Sequence, residues 1–329
     1  MVRIGMMSFA HMHAGSYAAC LNSLPNAQIV GIADDDEARG REMASRFNTQ
    51  YFPSYEALLS AGIDAVVICS ENARHKDMTL MAASAGKHVL CEKPLATNVI
   101  DAMAMISACK KAGVQLMTAF PCRFHPAMQR VKAMVESGKI GRILAIRGTN
   151  RGRNPGGWFT QLEKSGGGAV MDHTVHVTDL MRWLTGAEVV QVYAEIDNLI
   201  NHADFDDVGF LTLELSDGTF GTLDSSWSRP KTYPFWGDVT LEIVGEDGVI
   251  SMDMFSQNLV LYSDTQGAIS WVNWGSNMDL GLTRAFVNAV ESGTPVPITG
   301  EDGLKAVEVV QAAYRSADRK EPVKLPLEV

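Results

Sequence analysis

No stretch of the 329 residues approaches the roughly 20 consecutive apolar positions that a membrane-spanning helix requires, so no membrane partner is expected. Positive charge is also in short supply. There are 28 Lys and Arg against 38 Asp and Glu, a formal net charge of −10. A nucleic-acid backbone is gripped by basic patches, and this balance excludes that class of partner. Cysteine is scarce as well. The five residues Cys20, Cys69, Cys91, Cys109 and Cys122 form no CxxC pair, and their number is odd. Reduced thiols in a cytoplasmic protein are the reading that fits. Met1-Val2-Arg3-Ile4-Gly5 starts directly as a strand, without the basic segment, long apolar run and cleavage site of a secretory signal.

What is present is ordinary for a globular chain, 46% hydrophobic and 20% charged, and long enough for two domains. Residues 1–120 alternate short apolar runs with helical segments. Strands are expected at Val2–Met7, Ala27–Ala33, Ala65–Cys69, His88–Cys91 and Gln115–Thr118. Helices are expected near Ala14–Leu24, Glu37–Phe47, Tyr55–Leu59, Arg74–Ala85 and Val99–Ala112. Near-continuous apolar strands alternating with helices predict a doubly wound parallel sheet covered on both faces, the dinucleotide-binding pattern.

That pattern needs a glycine-rich first turn, and here glycine is missing. With GxGxxG set on positions 8, 10 and 13, the three glycines are Ser8, Ala10 and His13. Backbone N–H groups at a helix start bind anions whatever the side chains, so Ser8, Phe9, Ala10, His11 and Met12 remain the expected phosphate turn. His11 and His13 carry no neighbouring carboxylate or cysteine in sequence, and no metal site is expected from them. The second strand ends Ala33-Asp34-Asp35-Asp36. An acidic residue about 20 positions past the turn holds the adenosine ribose hydroxyls, which assigns Asp34 and favours NAD over NADP. Polar residues Ser70, Glu71 and Asn72 cluster where the strand Ala65–Cys69 ends, at the edge where open parallel sheets bind ligands. At that same edge the apolar His88-Val89-Leu90 runs into Cys91-Glu92-Lys93-Pro94. A lysine at the end of a buried strand is held by a partner or has a task.

From residue 121 the pattern changes to long alternating strands at Ile143–Asn150, Glu188–Leu199, Val208–Leu215, Thr219–Trp227, Val239–Val244 and Asn258–Tyr262, with a helix at Pro126–Ser137. Turns such as Ser216-Asp217-Gly218 predict hairpins and an open, mostly antiparallel sheet. Met171–Leu184 reads as a helix on which Asp172, His176 and Asp179 fall at i, i+4 and i+7, sharing one face. A metal held by those three lacks a supporting cysteine or second histidine. Acid–base work fits them better.

The run Gly86-Lys87-His88-Val89-Leu90-Cys91-Glu92-Lys93-Pro94 resembles a signature of the Gfo/Idh/MocA oxidoreductases. So do Phe120–Pro126, Ser137–Ile143, Gly166-Gly167-Gly168 followed by Asp172, His176 and Asp179, and the segment Ile298–Gly303. Three positions depart from the family: the glycine turn, Pro121 where Asn is usual, and Thr174 where Gly is usual. The resemblance implies an NAD-binding Rossmann domain over 1–120 and a substrate-binding and oligomerisation α+β domain over 121–329. It also implies hydride transfer between nicotinamide and a secondary alcohol of a sugar, polyol or inositol-like molecule. Ser70, Asn72, His75, Glu92 and Lys93 join the turn and Asp34 against the cofactor. Lys93, Asp172 and His176 meet at the substrate, with His176 or Lys93 as the proton acceptor and Asp172 orienting His176. Arg123, Arg151, Arg153 and Trp158 are candidates to hold the substrate, the arginines by charge-assisted hydrogen bonds and the tryptophan by its ring face. A homo-oligomer formed through the C-terminal sheet is expected. Two other readings stay open: transient oxidation on a tightly held cofactor that enables elimination or hydrolysis, and an NAD-binding regulator without catalysis.

Overall fold

The structure is a computed structural model that describes residues 1–256, 258–265, 267–273 and 276–328. The chain forms two compact units. The first comprises Met1–Pro121, Glu163–Gly166 and Met278–Val307; the second comprises Cys122–Leu162, Gly167–Asn277 and Glu308–Val329.

The first unit runs β1 (Val2–Met7), α1 (His13–Ser23), β2 (Ala27–Ala33), α2 (Glu37–Arg46), β3 (Gln50–Phe52), α3 (Tyr55–Leu59), β4 (Ala65–Ile68), α4 (His75–Ser84), β5 (His88–Cys91), α5 (Val99–Ala112) and β6 (Leu116–Thr118). The strands form one parallel sheet in the order β3-β2-β1-β4-β5-β6. Every residue of β4 is buried, as Val and Ile runs require when helices cover both faces. Helix starts follow the capping residues: Asp36, Ser54 and Asn98 each accept a backbone N–H three positions on. The strand order reverses between β1 and β4, and ligands of open α/β sheets bind at such a point, beyond the carboxyl ends of the strands. Sequence periodicity does not reveal β3. Its three residues are too short to alternate, and pairing with Gly31–Ala33 of β2 creates the strand.

The second unit holds α6 (Pro126–Glu136), β7 (Ile143–Thr149), the first residue of α7 (Leu162–Ser165), α8 (Ala169–Thr185), β8 (Val189–Asp197), β9 (Val208–Leu215), β10 (Phe220–Asp224), β11 (Thr240–Gly245), β12 (Val249–Asp253), β13 (Asn258–Ser263) and β14 (Ala268–Asn273). Seven strands line up as β12-β11-β7-β10-β9-β8-β15, the last being Val323–Lys324. Only the β7–β10 pair is parallel. Alternate residues of β9 are buried, and α8 packs on β7, β9 and β10. One face of the sheet therefore carries α8. Phe210 and Phe220 are 55% and 57% exposed.

The chain then returns to the first unit with α9 (Met278–Ser292), which packs on α1 and β1. Helix α10 (Gly300–Arg319) begins in the first unit and ends in the second. Sequence reading assigns no helix to these segments. Among the described residues, no helix is long and apolar enough to cross a membrane.

Candidate functional site

The turn after β1 has the backbone shape of a glycine turn without the glycines. Ser8 sits at φ 71°, in the left-handed region that usually selects glycine. It is held there from both sides. Its N–H donates to the Ala33 carbonyl at 2.8 Å, and its hydroxyl oxygen accepts the Ala10 N–H at 3.1 Å. The Phe9 N–H donates to Asp34 Oδ2 at 2.6 Å. Arg39, in the first turn of α2, places Nε 2.9 Å from Oδ2 and Nη2 2.5 Å from Oδ1 of the same carboxylate. Asp34 thus ties the turn to the end of β2. Its pairing with Arg39 is not visible in the glycine-turn spacing, because α2 supplies it.

At the end of β5, Glu92 is fully buried. Its Oε2 accepts the Lys93 N–H at 2.7 Å, and its Oε1 lies 2.8 Å from His13 Nδ1 and 3.7 Å from His11 Nδ1. Burial alone would raise the Glu92 carboxyl; the neighbouring His11, His13 and Lys93 outweigh it and hold the group well below the usual carboxylate range. Burial works against the His13 imidazolium, and Glu92 reverses the balance, so His13 is raised. Sequence spacing leaves the two histidines without a carboxylate. The sheet order β1-β4-β5 supplies one from 79 residues away.

The remaining expected cofactor residues lie nearby in this unit. Ser70 donates its hydroxyl to the Glu71 carbonyl at 3.1 Å. Asn72 Nδ2 donates to the Ser165 carbonyl at 2.8 Å. Buried His75 donates from Nδ1 to the Pro94 carbonyl at 2.9 Å, and desolvation lowers its pKa. It therefore holds the backbone that follows Lys93, which is itself buried.

In the second unit, α8 carries Asp172, His176 and Asp179, all buried. The glycine run before it has a specific packing reason. A Cβ on Gly168 would stand 1.9 Å from the Asp206 carbonyl oxygen. Asp206 itself caps the helix: Oδ1 accepts the Gly168 N–H and Oδ2 the Val170 N–H, each at 2.8 Å, while Tyr314 donates its hydroxyl to Oδ1 at 2.8 Å. The glycines thus admit the protein's own backbone and cap.

Asp172 Oδ2 is 3.2 Å from Trp227 Nε1 and 3.1 Å from His173 Nε2. His173 Nδ1 faces the Asn150 carbonyl at 2.8 Å. A carbonyl only accepts, so Nδ1 carries a proton, and Nε2 is the nitrogen turned to Asp172. Sequence reasoning misses His173, which stands off the Asp172–His176 face; the adjacency of two ionisable residues is the one signal available. His176 Nδ1 lies 3.8 Å from Cys122 Sγ. Arg123 forks onto Asp179, with Nε 2.8 Å from Oδ2 and Nη2 2.5 Å from Oδ1. Arg151 Nε donates to Asp238 Oδ2 at 3.0 Å, and Arg153 Nη2 donates to the Phe235 carbonyl at 2.7 Å. Trp158 stacks on Phe159 with ring centroids 3.9 Å apart, and it packs on a small core with Trp227. Each of the four substrate candidates has a protein partner that fixes its position.

Chemically, the first unit offers a turn of backbone N–H groups with a buried carboxylate at the end of β2, and the second a helix bearing buried carboxyl and imidazole groups. Residues 2–120 match the family described as "Oxidoreductase family, NAD-binding Rossmann fold", and residues 128–251 match "GFO/IDH/MocA C-terminal domain". A myo-inositol 2-dehydrogenase of Thermotoga maritima is 31% identical, covering 98% of this chain and 98% of its own. A scyllo-inositol 2-dehydrogenase (NAD(+)) of Bacillus subtilis is 26% identical, covering 98% of this chain and 95% of its own. The crystal structure of GenD2 from gentamicin A biosynthesis, in complex with NAD, superposes with a TM-score of 0.92 at 25% identity, covering 99% of this chain and 97% of that one. The turn, the acidic anchor at the end of β2 and the matches along both units agree: the chain belongs to the Gfo/Idh/MocA oxidoreductases and carries their NAD-binding Rossmann domain.

Proposed function

We propose that the chain is an NAD-dependent dehydrogenase of a secondary alcohol on a sugar, polyol or inositol-like substrate. The observation that carries this reading is the turn after β1: Ser8 keeps the glycine backbone, and Asp34 anchors the Phe9 N–H beside it. A working nucleotide turn is what a dehydrogenase needs, and the inositol 2-dehydrogenases that match along nearly the whole chain support the substrate class.

NAD, when bound, takes up the hydride. The residues that would hold it are Ser8 to Met12 through their backbone and Asp34 through the ribose hydroxyls, with Ser70, Asn72, His75, Glu92 and Lys93 along the carboxyl edge of the sheet. The hydroxyl proton needs a base. Histidine is the residue type that titrates near neutrality, and this reading assigns the proton to His176, with Lys93 hydrogen-bonding the reacting oxygen. Asp172, one turn before His176 on α8 and itself bonded by Trp227 Nε1, is assigned to orient that imidazole. Arg123, Arg151, Arg153 and Trp158 complete the proposed substrate contacts. The exposed Phe210 and Phe220 on β9 and β10 support a homo-oligomer through this sheet.

The test is a fluorescence titration with NADH and NADPH, followed by a polyol and sugar screen on wild type and Lys93→Ala. Tighter binding of NADH than NADPH, with turnover lost in Lys93→Ala while NADH still binds, is the expected result. Failure to bind either cofactor removes the dehydrogenase reading, and undiminished turnover in the variant removes the role of Lys93.

A further inference from the structure

We propose that His11, His13 and Glu92 form a binding site for a divalent transition-metal ion of the zinc class. Their donor atoms all lie within 4.8 Å of one another. Two imidazole nitrogens and one carboxylate oxygen are a donor set suited to zinc, cobalt, nickel or ferrous iron, not to magnesium or calcium.

The orientation of His11 supplies the main argument. The His13 main-chain N–H donates to His11 Nδ1 at 3.2 Å, so in that arrangement the nitrogen has no proton to lose, and an ion would take its single lone pair in place of this long hydrogen bond. The same nitrogen lies 3.7 Å from Glu92 Oε1. That separation is one that a single ion with bonds of about 2.0–2.2 Å would bridge. His13 Nδ1 converges on the same oxygen at 2.8 Å.

The site is also preorganised. The His11 and Glu92 side chains are 1% and 0% exposed, the first in the turn between β1 and α1 and the second directly after β5. The His11 main-chain N–H donates to the Cys69 carbonyl at 2.9 Å, and the second Glu92 oxygen is fixed by the Lys93 N–H at 2.7 Å. The His13 side chain is 34% exposed, which gives an ion and a water ligand access from solvent. Three protein ligands with one position left for water is the arrangement of reactive rather than purely structural zinc sites.

Metal entry requires the proton on His13 Nδ1 to leave. A neutral ring moves it to Nε2, and an imidazolium releases one proton to solvent. The ion then forms three coordinate bonds in place of two hydrogen bonds, that of His13 Nδ1 with Glu92 and that of the His13 main-chain N–H with His11 Nδ1. The divalent charge exceeds the single carboxylate charge, so the site becomes net positive at the start of α1. This inference does not rest on the cofactor reading, because the three ligands belong to the fold itself.

The test uses the untagged full chain, stripped with a chelator and titrated with Co²⁺ while visible d–d absorption is recorded. Zn²⁺ is then added as competitor. Wild type is compared with Glu92→Gln and with His13→Asn, which keeps a polar contact to Glu92 but lacks the imidazole nitrogen. Cooperative thermal melts confirm that the variants fold. The expected result is one Co²⁺ per chain, displaced by Zn²⁺, with affinity at least about tenfold weaker in both variants. No d–d absorption in wild type, or unchanged affinity in the two folded variants, overturns the proposal. NADH titration of the metal-free chain, run separately, distinguishes a failure of this site from a failure of the nucleotide site.

Discussion

Both oxygens of Asp34 are held by Arg39, Nε to Oδ2 at 2.9 Å and Nη2 to Oδ1 at 2.5 Å, while Oδ2 also accepts the Phe9 N–H at 2.6 Å. The carboxylate proposed to hold the ribose is thus paired with a cation of the kind that suits a 2′-phosphate, and it masks that cation. Asp34→Ala removes the mask. We expect NADH affinity to fall by roughly 10- to 100-fold, the worth of about 1.5–3 kcal/mol for a charged hydrogen bond. NADPH is expected to bind better than NADH in that variant, and adding Arg39→Ala to abolish the gain. Fluorescence titration reads both; an unchanged NADH to NADPH ratio in Asp34→Ala counts against the arrangement.

Ser8 at φ 71° predicts an asymmetric response to substitution. Ser8→Gly relieves left-handed strain but loses the hydroxyl bond to the Ala10 N–H, and the two effects offset to within about 1 kcal/mol. A β-branched side chain is far less compatible with that backbone, so Ser8→Val is expected to cost about 2 kcal/mol or more. Denaturant melts of the two variants measure this, and equal stabilities would refute it.

Asp206 holds two backbone donors at the start of α8 and the Tyr314 hydroxyl. Asp206→Ala leaves all three without that acceptor, with an expected loss of about 2–3 kcal/mol. Gly168→Ala forces a Cβ onto the Asp206 backbone, so its expected cost is about 1–3 kcal/mol. Because the two residues touch, the double variant should lose less than the sum of the single losses. Strict additivity in chemical denaturation would show that they act independently.

The buried imidazole of His75 predicts a pH dependence of stability. Burial lowers its pKa in the folded chain. Below about pH 6.5 the unfolded chain binds a proton that the folded chain refuses, so stability falls as pH drops from there toward the lowered folded value. The slope from this one group is at most about 1.4 kcal/mol per pH unit. His75→Gln should flatten the decline between pH 6.5 and 5 by up to that amount. An identical pH profile in the variant would assign the acid sensitivity elsewhere.

The strand and helix alternation of residues 1–120 was legible because buried parallel strands are apolar runs and helices begin at capping residues. The bounds of β1, β2, β5, α3 and α5 follow from those local rules. Helix α8 was legible for the same reason, since Asp172, His176 and Asp179 repeat at helical spacing. The short β3 and β15 were not, because a strand of two or three residues exists only through its partner.

The sequence by itself determined the parallel N-terminal sheet and the mostly antiparallel C-terminal one, and it marked the turn Ser8–Met12 and Asp34 as candidates for the nucleotide, because each depends on residues close together along the chain. Only the tertiary structure decided what those residues touch. Sheet order carried Glu92 to His11 and His13, α2 brought Arg39 onto Asp34, and the loop before β9 set Asp206 beneath the glycine run. These pairings join residues from separate elements, and hydrogen bonds and ion pairs act over a few ångströms of space whatever the separation in sequence.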